Sequence, residues 1–281
     1  MNKSGRTAAL LLAASIAAGG TQAAAQAVRT DIGYTTGTVP RNDDSFVGPV
    51  SIGFTVNFFG VTGSTLFVNN NGNITFNSGL STFTPFNLTS TATNIIAPFF
   101  ADVDTRAAGS ALVTYGNSAV NGRAAFGVNW VNVGYFSSHD QHLNSFQLIM
   151  IDRSDLAAGD FDFEFNYDRI TWESGQASGS DANGLGGSSA RAGFSNGTGA
   201  PNTSFELPGS AVNGAFLDGG PNALISHRLN SNLDGRYIFT VRNGQVIVDP
   251  GVPDTTVPEP ETYLLLATGL VGIVVARKFT S

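Results

Sequence analysis

The sequence contains no cysteine in 281 residues. That excludes disulfides, thiolate metal sites and a cysteine nucleophile. Lysine is nearly as scarce: Lys3 and Lys278 stand at the two ends. Between Val28 and Thr256 lie ten arginines, no lysine and nineteen acidic residues. Phosphate backbones are bound by clustered positive charge, so this balance argues against a nucleic-acid partner. Charged residues of both signs amount to 12%, against about 25% in an ordinary soluble domain. Between the two ends, no long stretch carries apolar residues at helical spacing. Glycine (34) and phenylalanine (21) are abundant instead, a composition of turns and strands.

The two ends read as addresses. Residues 1–27 form a signal peptide: Lys3 and Arg6 supply the positive start, Ala8 to Ala18 the apolar stretch. Small residues allow cleavage after Ala25 or after Ala27. An N-terminal membrane anchor is the alternative, and the short apolar run argues against it. At the other end, residues 249–261 are a Pro-rich tether, an extended and semi-rigid spacer. Residues 262–281 then read as a short transmembrane helix with a basic tail. Its apolar run, Tyr263 to Ala276, spans about 21 Å as a helix against a hydrocarbon core of about 30 Å. Arg277 and Lys278 should stay cytoplasmic and leave the bulk of the chain outside.

Val257-Pro258-Glu259-Pro260, the apolar run and the basic pair resemble the PEP-CTERM sorting tail. The resemblance implies a Gram-negative host and recognition by an exosortase after passage through the secretion machinery. It also implies a transient stay in the inner membrane and delivery to the cell surface or extracellular matrix. The departure is the basic cluster, two charges followed by Phe279-Thr280-Ser281, where a longer arginine run is common. Whether the tail is cleaved or retained stays open.

The body, residues 28–248, predicts an all-β domain. "STLFVNNNGNITF" and "RYIFTVRNGQVIV" are apolar runs around Asn71-Gly72 and Asn243-Gly244, pairs that suit tight hairpins. "SFQLIMID" places Phe146, Leu148 and Met150 on one face of a strand. Frequent turns and short strands predict an antiparallel β-sandwich or related barrel. Ser174 to Ser189 is a polar excursion expected to be exposed. "VNFFG", "LFVNNNGNITF", "APFFADVDTR", "FNYDRITWESG" and "ARAGFSNG" together resemble the NIDO domain, in that family's order. This resemblance implies an extracellular role in cell–matrix adhesion and no enzymatic activity. It carries over no binding residue.

Several local patterns suggest chemistry. Gly193-Phe194-Ser195-Asn196-Gly197 fits the nucleophile elbow, but no helix follows to make one. His139 and His142, beside Asp140, could share a metal on a helix, while their flanks read as a polar loop. Asp102 and Asp104 could share a calcium ion, and Arg106 offers the rival account as a bidentate partner. Asp181-Ala182-Asn183-Gly184 starts like an EF-hand loop but lacks its closing acid. The alternating "DFDFEFNYD" predicts a strand with Phe161, Phe163, Phe165 and Tyr167 inward and Asp162, Glu164 and Asn166 wet.

The expected function is therefore a non-enzymatic surface protein, adhesive or matrix-associated, with no cofactor beyond a possible Ca²⁺. A glycan- or calcium-dependent recognition module is the alternative, and a surface hydrolase using Ser195 or the histidines stands behind it.

Overall fold

The computed structural model describes residues 26–247. The leader, the tether, the apolar tail and the sorting residues Val257 to Pro260, Arg277 and Lys278 lie outside the described residues. In chain order the strands are β1 (Gly37–Thr38), β2 (Phe46–Phe58), β3 (Val61–Asn69), β4 (Asn73–Thr75) and β5 (Asn94–Phe100). Next come β6 (Val103–Asp104), β7 (Thr114–Val120), β8 (Arg123–Tyr135), β9 (His139–Asp152) and β10 (Phe161–Arg169). The last are β11 (Arg191–Asn196), β12 (Ser204–Glu206), β13 (Arg236–Arg242) and β14 (Gln245–Ile247). Helical structure is limited to the 3-10 turns Leu88–Ser90 and Gln176–Ser178 among the described residues. Within that range no helix is long and apolar enough to cross a membrane.

The strands form two antiparallel sheets. One has eight strands in the order β1-β7-β8-β9-β10-β13-β14, with β6 paired to β8. The other has six, in the order β12-β11-β5-β4-β3-β2. Their inner faces share one core, which the alternation in the sequence specifies. Phe146, Leu148 and Met150 of β9 and Phe161, Phe163, Phe165 and Tyr167 of β10 all point into it. Phe163 sits directly across from Phe239 of β13, the two rings stacked at 4.7 Å. Trp130 stacks on Phe146 at 5.3 Å. Two of the large rings in this core find acceptors for their buried polar atoms, Trp130 Nε1 on Asn70 O and Tyr167 Oη on Pro98 O.

Turn chemistry sets the hairpins. Asn243-Gly244 joins β13 to β14, and Asn121-Gly122 joins β7 to β8. All four residues have positive φ, the geometry of a two-residue turn that matches strand twist. The hairpin of β3 and β4 turns through Asn70, Asn71 and Gly72, and its tip is buried rather than solvated. A β-carbon on Gly72 would meet Phe99 O at 1.7 Å. The asparagines around it satisfy one another: Asn69 Nδ2 donates to Asn73 Oδ1 and Asn73 Nδ2 to Asn71 O.

The outer face of β10 departs from expectation. Asp162 is partly covered, Glu164 is 3% exposed and Asn166 is fully buried. The cover is the N-terminal segment 27–34. Ala27 and Val28 donate their N–H groups to Asp168 Oδ1, and Ala27 O accepts from Arg236 Nη2. Arg29 clamps Glu164 with two bonds of 2.9 Å. Further along, Tyr34 and Ile32 pack on Val120, Ala125, Ile149 and Ile151, the outward residues of β7, β8 and β9. Asp162 meets Arg153 and Arg242 instead of water alone. Glu164 and Asp168 are therefore tied to the strap, and Asp160 and Asp162 to Arg153 and Arg242, rather than keeping a face wet.

Candidate metal centre

Two segments far apart in the chain bring carboxylates together where it passes from one sheet to the other. Asp102 lies in the link between β5, in the six-stranded sheet, and β6, in the eight-stranded sheet. Asp43 and Asp44 lie just before β2. One carboxylate oxygen from each of the three falls within 4.8 Å of the others. The buried hairpin tip holds this arrangement. Asn70 Nδ2 donates to Asp43 O and Val103 O. Asn71 Nδ2 donates to Asp44 Oδ1 at 2.9 Å, and Asn71 Oδ1 accepts from Val103 N.

The Asp102 carboxylate is wedged against Gly175, where a β-carbon would stand 2.1 Å from Asp102 Oδ2. Asp102 is 1% exposed, and its Oδ2 has no hydrogen-bond partner. Asp43 Oδ1 is likewise buried and unpartnered, while Asp43 Oδ2 meets Arg106 at 3.0 Å. Burial pushes Asp102 up to about 8, with Asp43, Asp44 and Asp104 adding to the rise against Arg106. Burial likewise pushes Asp43 up to about 7, helped by Asp104 and Asp44.

Asp104 is placed differently. Its carboxylate takes a fork from Arg106 (2.9 and 2.6 Å), the Arg106 N–H and the Ser138 N–H. Burial alone would raise its pKa, but these donors hold it below the ordinary value. Asp102 and Asp104 thus do not share a site: Asp104 belongs to Arg106, and Asp102 to Asp43 and Asp44. Sequence reasoning missed Asp43 and Asp44. The acid pair in "RNDDSF" is visible, but nothing local points it at Asp102.

The remaining candidates are dispersed. Ser195 is 1% exposed on β11, its Oγ accepting from Gly197 N. His139 and His142 stand at the start of β9, a strand where a loop was expected, and their spacing of three puts them on opposite faces. His139 stacks on Tyr135 and reaches Gln176 Oε1. Asp181 Oδ1 accepts from the N–H groups of Asn183 and Leu185, closing a turn on itself. The segment from Ser174 to Ser189 is only partly exposed: Ser174, Gly175, Ser178, Gly184 and Ser189 are buried. Tyr135 Oη and Gln141 Nε2 both donate to Ala182 O, which pins it to β8 and β9.

Comparison with known proteins gives two family matches. The nidogen-like domain (NIDO) matches residues 64–119 and 112–243. The PEP-CTERM protein-sorting motif matches residues 256–278. Alpha-tectorin from Homo sapiens is 33% identical over 232 residues, 74% of this chain and 10% of that protein. The Mus musculus and Gallus gallus proteins are 34% and 31% identical over 234 and 232 residues, with the same shares covered. The chain therefore spans about a tenth of the length of these relatives. No solved structure matches it.

Proposed function

The chain belongs to the nidogen-like domain family, and from that premise we infer that it acts as an adhesive or matrix-associated surface domain rather than as an enzyme. It is an exported, extracellular or cell-surface protein, and its sorting motif implies recognition by an exosortase. The observation that carries the reading is the pairing of these two matches in one chain, the domain ending at 243 and the sorting motif starting at 256. The domain is then held briefly at the inner membrane by its tail and presented outward on the tether. Binding falls to loops on a rigid sandwich, which expose single apolar side chains such as Leu156, Leu185 and Val212. The burial of Ser195 and the separation of the two histidines support the non-enzymatic side. A cation-dependent recognition module is the second reading, favoured by the cluster of Asp43, Asp44 and Asp102.

Two measurements test this. Cells with and without the exosortase are fractionated, and the mature protein is weighed by mass spectrometry. The expected surface form has lost its leader and ends near Pro258 to Glu261; an intact Ser281 on that form contradicts the sorting route. A deletion strain is expected to lose attachment or matrix retention and to regain it with the full chain. Unchanged attachment in the deletion strain sinks the adhesive reading.

A further inference from the structure

We propose that Asp43, Asp44 and Asp102 form a binding site for one hard divalent cation, calcium first among them. The argument starts from the unpartnered oxygens. Asp102 Oδ2 is buried with no donor near it, and so is Asp43 Oδ1. A buried carboxylate without a partner is strongly disfavoured. The donors present are already committed around the rim: Asn71 on Asp44, Arg106 on Asp43 and Asp104. One proton would serve a single pair of these oxygens. One cation would serve all three residues.

The spacing fits such an ion. Oxygens up to 4.8 Å apart match the span across a calcium ion, about 4.6–5.2 Å for two bonds of 2.3–2.6 Å. The donors are carboxylate oxygens only, with no imidazole or thiolate in the group, which selects a hard ion over zinc or copper. Asp43 and Asp44 are both partly exposed, so water can complete the six to eight ligands that calcium takes. Position gives the site a purpose. It ties the segment before β2 to the crossing from β5 to β6, beside the buried Asn71 turn. In a chain without cysteine this is a cross-link, with no disulfide, between two connections that run from one sheet to the other. The site stands whether or not the domain is adhesive.

The test is calorimetry and thermal melting of the exported protein, stripped with a chelator and titrated with CaCl₂. One ion per chain is expected, with affinity in the range of extracellular modules, about 10⁻⁴–10⁻³ M. At about 10- to 100-fold excess over Kd the melting temperature should rise by about 3–10 °C. Asp44→Asn, at a half-exposed position that tolerates change, should weaken binding at least about tenfold, as expected for loss of one charged ligand. Asp102→Asn should abolish the calcium response, because it removes the buried carboxylate ligand. Absence of heat with Ca²⁺, Mg²⁺ and Mn²⁺, together with identical melting in chelator and calcium, overturns the proposal. A calcium response retained in both variants places the ion elsewhere and overturns it equally.

Discussion

Replacing Glu164 by alanine tests whether the N-terminal strap is held by charge. Glu164 accepts from Arg29 Nε and Nη2 at 2.9 Å and from Asn166 Nδ2 at 3.2 Å, and lies 3.7 Å from Arg236 Nε. Its removal leaves two guanidinium groups against the sheet without their shared carboxylate, with Asp31 and Asp168 the acids left near them. Breaking a buried pair from one side costs about 3–5 kcal/mol. The arginine side chains keep 21% and 14% of their exposure, so water screens them in part and the lower end, about 3 kcal/mol, is expected. For a domain of this size that is a melting temperature lower by about 6–12 °C. Urea unfolding followed by the fluorescence of Trp130 and Trp172, both fully buried, reads the same loss as a lower midpoint with an unchanged slope. The double variant with Arg29→Ala should recover part of the cost, because the orphaned charge goes too. A loss below about 1 kcal/mol for Glu164→Ala, the size of an exposed surface pair, would refute the reasoning. The strap would then be held by the packing of Tyr34 and Ile32 and by its backbone hydrogen bonds to Asp168, Arg236 and Asn129.

Three further outcomes follow from the packing. Phe163→Ala should cost about 3–5 kcal/mol in urea unfolding, since it empties a fully buried site stacked on Phe239; a cost under about 1 kcal/mol would mean the core collapses into the gap. Gly175→Ala should cost about 1–3 kcal/mol, because the added methyl overlaps the Asp102 carboxylate and its β-carbon; wild-type melting would show that the wedge yields freely. Mass spectrometry of the exported protein should find Gln26 as the first residue, with cleavage after Ala25. Cleavage after Ala27 would remove the carbonyl that Arg236 holds and one of the two N–H groups that Asp168 accepts, so Val28 as the first residue contradicts a role for Ala27 in the docked strap.

What could be read from the sequence was local. Asn243-Gly244 turns a hairpin because of its own two residues, and it does so in the structure. The alternation of β10 correctly put four aromatic rings inward. Arg106 stands two residues from Asp104, and they pair. What failed was long-range. The partner of Glu164 is Arg29, 135 residues away, and no period in "DFDFEFNYD" announces a strap above it. The buried Asn71 turn and the half-covered segment after Ser174 look solvent-loving by composition, yet each is held down by contacts from other elements. Asp43 and Asp44 meet Asp102 through the fold alone.

The strand order has a consequence for crowding. Of the four strands that end the two sheet orders, three are two or three residues long, β1, β12 and β14, and β6, paired only to β8, is two residues long. The fourth end strand, β2, is long, but its pairing with β3 breaks register between Val47 and Val50 and again between Ser51 and Val56. Pro49 removes one more backbone donor from it. Open ladders recruit strands from neighbouring copies and grow into fibres. Among the described residues, the short or broken outer strands leave little open ladder for a neighbouring chain to extend.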